Sequence, residues 1–271
     1  MSDALSVEND RQFAINLSRG LDVLRAFTPA DQLLGNRELC DRTSLPKATI
    51  SRLTYTLEKL GYLLRVERLQ KYRLGPGVLM LGYPMLAGMD IRHLARSHME
   101  KLASKTKWSV NLGMLGRLEV VYIDTLRLDR GNFLKPDIGS SRPLLTTSIG
   151  RALLIASLSV DQKSVLNRLK LVNPVQFKKD IHHFHRDQEF YERYGYCLSR
   201  GDWESDGYAV AVPLRVGSSD DPAIALNCTL SGSKISLAEI NKTIIPNLLE
   251  AKRNIEHDGG KIYLKKRNLS D

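Results

Sequence analysis

Between Pro46 and Gly61 the apolar residues Ile50, Leu53, Leu57 and Leu60 recur at helical spacing. The spacing predicts a helix with Ile50, Leu53, Leu57 and Leu60 turned to a core. Lys47, Thr49, Ser51, Arg52 and Tyr55 fall on the other side, with Ala48 among them and Ser44 in the turn before. Short hydrogen-bonding side chains, two cations and an aromatic suit a DNA major groove and its flanking phosphates. A merely solvated face would be richer in Glu–Lys pairs, and here Glu58-Lys59 come only at the far end.

The same pattern places this helix in a larger unit. Ser18 is a candidate cap for a first helix with Leu21, Leu24 and Phe27 inward, and Asn36 for a second with Leu39 and Cys40 buried. Pro46 suits a first helical turn, because its missing N–H has no helical partner there anyway. After Gly61, two short apolar runs, Tyr62-Leu63-Leu64 and Tyr72-Arg73-Leu74, flank a segment holding Arg65, Arg68 and Lys71. That reads as a β-hairpin with a basic tip. Two helices, a recognition helix and a basic hairpin, in that order, make a winged helix-turn-helix. Wing cations usually meet phosphates, so Arg65, Arg68 and Lys71 join the candidate DNA contacts.

Gly75-Pro76-Gly77 marks a boundary, and a linker helix broken at Pro84 follows. Asp90 opens a helix with Ile91, Leu94, Ala95, His98, Met99 and Leu102 on one face. Beyond it the period changes to two. Trp108–Leu115 and Glu119–Leu126 read as a hairpin turned at Gly116-Arg117, and 127–142 as a polar loop. Helices are expected over 147–158, 160–171 and 180–194. Strands are expected over 208–216 and 223–230, with the 217–221 turn between them. Ser236 with Glu239 forms a capping box before the last helix. Strands interleaved with helices, without strict βαβ repetition, argue for an α+β fold. The expected organisation is a flexible tail (1–12), a winged helix-turn-helix domain (13–75), a linker helix (76–89), an α+β domain (90–265) and a tail (266–271).

Charge and chemistry narrow the function. The 40 Lys and Arg against 30 Asp and Glu give a net charge of +10. That favours polyanionic partners. Three isolated cysteines with no CxxC pair fit a reducing cytoplasm. The polar start of the chain does not read as a signal peptide. The longest apolar run, 78–89, is broken by Gly82, Pro84 and Gly88 and falls short of the ~20 residues that span a bilayer. A soluble, cytoplasmic protein is expected. No GxSxG, HExxH or Walker A pattern occurs, so no catalytic residue is expected. His182 and His185 lie one turn apart, yet nothing at metal-ligand spacing completes a site, and neither metal nor cofactor is expected.

With these elements in place, the chain resembles the IclR family of bacterial transcriptional regulators. The resemblance is carried by Ser18-Arg19-Gly20-Leu21, Thr43–Thr49, Arg52-Leu53, Leu57, Gly61-Tyr62 and Tyr72–Gly75. In the second half it rests on Pro143-Leu144, Thr147, Gly150–Leu154, Tyr194-Gly195-Tyr196 and Ala211–Leu214. It implies a GAF-like effector-binding domain, a small organic acid effector (a carboxylate or aromatic acid), an operator in double-stranded DNA, and dimers that pair into tetramers. By position it implies a ligand pocket with Thr147, Ser148 and Ile149 at a helix start, which is also a ready anion site. It adds Ser199, Asp202 and Ala209, then Asn227, Thr229 and Ser231 on the last strand, with Leu112, Met114 and Tyr122 as apolar lining. Family members often carry an acidic residue where this chain has Ser199, and a Glu at Asp202. Arg142 and Arg151 are compatible with a carboxylate ligand.

Overall fold

The computed structural model describes residues 12–127, 137–203, 207–216, 221–231 and 236–270, with backbone alone at 231 and 261–270. The chain divides into two compact units, Met1–Gly88 and Met89–Asp271.

In the first unit, α1 (Ile15–Arg25), α2 (Asn36–Thr43) and α3 (Lys47–Lys59) precede a hairpin of β1 (Leu63–Val66) and β2 (Lys71–Leu74). Val23, Phe27, Leu34, Leu39, Ile50, Leu57, Leu63 and Tyr72 form its core. The first helix starts a turn earlier than Ser18, so Val23 rather than Leu21 points inward, and Leu21 is exposed. On α3, Ile50 and Leu57 are buried as the period requires. Leu60 is 62% exposed, because the helix ends at Lys59 and the chain turns away; Thr54 takes the inward place. Thr54 is tolerated there because its Oγ1 donates to the Ile50 carbonyl at 2.9 Å. The hairpin pairs Leu63 with Leu74 through to Val66 with Lys71. Leu34 adds a bridge to Tyr72.

Helix α4 (Pro76–Ala87) is continuous and contains Pro84. The expected break is absent, since a proline removes one helical hydrogen bond without obliging the chain to stop. No residue of α4 is buried, and Leu79, Met80, Leu81, Tyr83 and Met85 are each more than half exposed.

The second unit is built on an antiparallel six-stranded sheet in the order β5-β4-β3-β8-β7-β6. Its strands are β3 (Ser109–Leu115), β4 (Glu119–Leu126), β5 (Ser141–Pro143), β6 (Cys197–Arg200), β7 (Gly207–Leu214) and β8 (Ile224–Ser231). Strand β5 lies inside the segment expected to be loop, where three residues are too few to show a period. Helix α5 (Asp90–Thr106) buries Ala95, Met99 and Leu102. It packs with α10 (Ile245–Ser270), which runs past residue 265. A short turn, α9 (Leu237–Glu239), and a π-helical stretch precede α10, and Ser236 Oγ accepts from Glu239 N. Arg96 of α5 bonds Asp124, which pairs opposite Leu112, so α5 covers the Leu112 side of the sheet. The other side carries α6 (Ser148–Ala156), α7 (Ser159–Val172) and α8 (Pro174–Tyr194). Helix α8 starts six residues before the expected 180, where the Asn173 side chain accepts from Gln176 N at 3.0 Å and Pro174 takes the first position. The second unit is an α+β, GAF-like domain that follows the helix-turn-helix domain along the chain. No helix among the described residues is long and apolar enough to cross a membrane. The tail at 1–11 and most of the 217–221 turn lie outside the described residues.

Candidate functional site

On α3, Lys47, Ala48, Ser51, Arg52 and Tyr55 are exposed in one continuous stripe. Thr49 falls outside that stripe and is half-buried, because it lies about 100° further round the helix than Ala48. Ser44 ends α2 in the left-handed region and is exposed. Asn36 Nδ2 donates to Ser51 Oγ at 3.3 Å, tying α2 to the stripe. Neither Lys47 nor Arg52 makes an ion pair with a described residue. Both charges are available to a polyanion.

The wing is more selective than its composition suggests. Arg65 is held by Gln70 Oε1 at 2.8 Å and Glu67 at 3.3 Å. Lys71 is paired with Glu38 of α2, and that bond leads the causes that hold the Glu38 carboxyl below its usual range. Both side chains remain more than a third exposed, so these two expected contacts are paired within the unit yet still reach its surface. Arg68 and Arg73 are exposed without an ion pair to any described residue. Arg73 was hidden in the sequence, because it sits between the apolar Tyr72 and Leu74.

In the second unit the expected ligand residues separate by strand parity. An added Cβ on Gly113 would lie 2.8 Å from Ile149 Cδ1, so Gly113 faces α6. Leu112 and Met114 alternate with it and take the opposite side, so they do not line an α6-side pocket. Tyr122 does share the α6 side, in the cluster with Val120 and Ile149. Two cross-strand rows occupy that side. One runs Thr125, Asn111, Asn227, Ala211, Cys197 and the other Ser109, Thr229, Ala209, Ser199. They form a floor of small and hydrogen-bonding residues. The side chain of Ser231 lies outside the described residues.

The start of α6 lies on this side of the sheet, with Ile149 against Gly113. Thr147 caps the helix: its Oγ1 accepts from Gly150 N at 3.2 Å and donates to the Pro143 carbonyl at 2.7 Å. The hydroxyls of Thr146 and Ser148 are buried without a hydrogen-bond partner. The two hydroxyls and the first N–H groups of the helix are hydrogen-bond donors left without an acceptor.

Asp202 and Arg151 belong to one ion-pair cluster. Arg151 is 0% exposed. Its Nε donates to Asp187 at 2.6 Å, Nη1 to the Leu145 carbonyl at 2.9 Å, and Nη2 to Asp202 at 2.9 Å and the Leu198 carbonyl at 3.0 Å. Arg186 also reaches Asp202, at 2.9 Å. Asp202 thus bridges arginines of α6 and α8, and four of the five N–H groups of the fully buried Arg151 are engaged inside the fold. Arg186, Asp187, Phe190, Leu198, Arg200 and Asp202 line a surface cleft of about 280 Å³ beside this cluster.

Burial pushes Asp202 upward, but the hydrogen bond from Arg186 and the charges of Arg151, Arg186 and His183 outweigh it and leave the pKa below 3.8. Burial lowers His183 below 6.5, with His182, Arg151 and Arg186 adding to the effect against the pull of Asp202. Both folded forms resist protonation, so both lose stability on acidification. His183 acts first, as pH falls below 6.5. Asp202 acts later, below 3.8. The melting temperature should therefore fall between about pH 7 and about pH 5. H183Q should flatten that part of the curve, and an unchanged slope would overturn the assignment. Burial also pushes the Cys197 and Cys228 thiols up, against any reactive thiolate. Among the described residues no three His, Cys, Asp or Glu side chains converge on a metal position.

Comparison with known proteins now bears on these two units. Residues 16–67 match the IclR helix-turn-helix domain, and residues 84–257 match the family model described as bacterial transcriptional regulator IclR C-terminal. The chain belongs to the IclR family of transcriptional regulators. This IclR-family regulator is 35% identical over 214 residues to the HTH-type transcriptional regulator TsaQ1/TsaQ2 of Comamonas testosteroni, covering 77% of this chain and 76% of that protein. It is 27% identical to the Pca regulon regulatory protein of Pseudomonas putida, over 92% of this chain and 85% of that one. The crystal structure of an IclR-family regulator from Brucella abortus aligns with a TM-score of 0.80 at 38% identity, covering 92% of this chain and 94% of that one. It is a DNA-binding regulator and not an enzyme.

Proposed function

We propose that this IclR-family regulator occupies a double-stranded operator through Lys47, Ala48, Ser51, Arg52 and Tyr55 of α3. Arg68 and Arg73 meet flanking phosphates, and a small organic acid on the second unit sets the occupancy. The observation that carries the effector half is the pair of buried, unpartnered hydroxyls of Thr146 and Ser148 at the start of α6, on the side of the sheet that also carries Ala209, Ala211, Asn227 and Thr229. An acid group satisfies both hydroxyls and the helix-start N–H groups together. For control, the acid must bind one arrangement of the protein better than another.

The regulator acts as a homodimer that pairs into a tetramer. The support is α4, whose exposed Leu79, Met80, Leu81, Tyr83 and Met85 form an apolar surface that a single chain leaves in water. Light scattering should give at least twice the monomer mass, and L81E with M85E should lower it; a monomeric wild-type chain would contradict this. Two α3 helices would then reach half-sites of a pseudo-palindrome.

Fluorescence anisotropy with the intergenic DNA beside the gene tests the DNA half. R52A and K47A should each weaken binding roughly tenfold, and each should reduce the slope of log affinity against log salt by about 1. Binding that is indifferent to both substitutions and to salt would overturn the reading.

A further inference from the structure

Helix α8 and the edge strand β6 border the cleft of about 280 Å³. Arg186, Asp187 and Phe190 line it from α8, Leu198 and Arg200 from β6, and Asp202 from just beyond β6. It is distinct from the α6-side floor. Cys197 and Ser199 of β6 belong to the floor rows, and Leu198 and Arg200 alternate with them. Charge in the cleft is unevenly matched. Arg151 and Arg186 face Asp187 and Asp202, two guanidiniums for two carboxylates, and that quartet is neutral. Arg200 is a third guanidinium. It is exposed and makes no ion pair or hydrogen bond with a described residue. Arg186 also has donors to spare at the cleft. Its Nε donates to Asp187, and its Nη2 to Asp202 and the Leu198 carbonyl, while Nη1 has no acceptor among the described residues. One wall is apolar. Phe190 lies 5.2 Å from Tyr196, edge to face, and 4.5 Å from Tyr194, measured between ring centres. The charge of Arg200 reaches the same end of the cleft, where it opposes the upward push of burial on the Tyr196 phenol.

We propose that this cleft is a second ligand site, apart from the α6 start, and that it takes a small singly charged aromatic carboxylate. The proposal does not depend on what the α6 start binds. Arg200 sets the charge. One uncompensated guanidinium calls for one anionic group, and a guanidinium meets a carboxylate in its own plane through two parallel N–H bonds. A second negative charge would face Asp187 and Asp202 with no further cation in the lining to answer it. Phe190 sets the body. A flat ring can lie offset on its face, an arrangement that gains more than the buried area alone. Volume sets the size. The cleft falls just under the roughly 300 Å³ at which small-molecule sites begin, so it holds one ring rather than two. The carboxylate meets Arg200 and the spare Nη1 of Arg186, while the quartet keeps its own bonds.

The full chain is titrated by calorimetry with benzoate, with benzamide as its uncharged counterpart, and with acetate as the charge without the ring. T146V combined with S148A removes the hydroxyls at the α6 start, so benzoate that binds this variant binds elsewhere. It should bind, and adding R200M should weaken it at least about tenfold, as expected when a hydrogen bond to a charged group is lost. Benzamide and acetate should each bind that variant at least about tenfold more weakly than benzoate. R200M replaces an exposed side chain without a described partner, so the melting temperature should hold within about 2 °C. Benzoate affinity that R200M leaves unchanged would overturn the proposal. So would benzamide or acetate binding as tightly as benzoate, or a T146V/S148A variant that binds no benzoate. Should that variant fail to fold, the comparison is made with the α6 start intact. R200M must then remove one benzoate per chain, and an unchanged count overturns the proposal.

Discussion

Asp187→Ala should destabilise the second unit by roughly 3–5 kcal/mol, the range seen when one partner of a buried ion pair is removed. Arg151 is 0% exposed and Asp187 only 2%, so water does not screen the loss. The substitution strands the Arg151 Nε–H, which now donates to Asp187 at 2.6 Å, and also removes a partner of Arg186 at 3.1 Å. For a unit of this size the melting temperature should fall by about 10 °C. Replacing Arg151 and Asp187 together by Leu should cost less than the two single losses summed, because no uncompensated buried charge remains between them. Denaturation followed by near-ultraviolet circular dichroism measures both. A loss below about 1 kcal/mol for Asp187→Ala would mean the pair is no keystone.

Gly150→Ala should separate effector response from DNA binding. An alanine Cβ there would sit 2.3 Å from the Leu144 carbonyl oxygen and 2.5 Å from Leu144 Cα. Those are backbone atoms, so α6 itself must move. Overpacking of this kind costs roughly 1–3 kcal/mol and shifts the backbone. The displaced segment carries Thr146, Thr147 and Ser148, the proposed acid seat. Calorimetry should show effector affinity reduced more than about tenfold. Anisotropy on operator DNA without effector should change little, because the first unit has its own core. Unaltered effector binding would show that the α6 start is not the seat.

Much of the first unit was legible because its signals are local. Ile50 and Leu57 repeat within one helix, and Pro46 and Gly61 punctuate it. The errors there came from ends: Leu60 continues the period but lies beyond the last helical residue, and Ser18 is a good cap at a place where the chain is already helical. Starts of helices were also missed where the cue was present. Asn173-Pro174 is a cap followed by a first-turn proline, and it lay unused beside a longer amphipathic stretch. In the second unit the misses share one cause. Leu112 and Met114 were the apolar members of β3, but which parity faces α6 depends on strand pairing across more than a hundred residues. The same pairing brings Asn111 to Asn227. Arg151 looked like a ligand's counter-ion because its partners, Asp187, Leu198 and Asp202, lie 36 to 51 positions away. Sequence spacing reveals a charge but not whether the fold has already answered it.

The arginine cluster has a further consequence at the rim of the sheet. Strand β6 is an edge, and its Leu198 carbonyl accepts from both Arg151 and Arg186. The opposite edge, β5, is three residues long and ends in Pro143. An incoming strand would find one border occupied by guanidinium groups and the other too short to grip. Uncontrolled sheet growth, the common route from crowded β-proteins to aggregates, is blocked at both sides without closing a barrel.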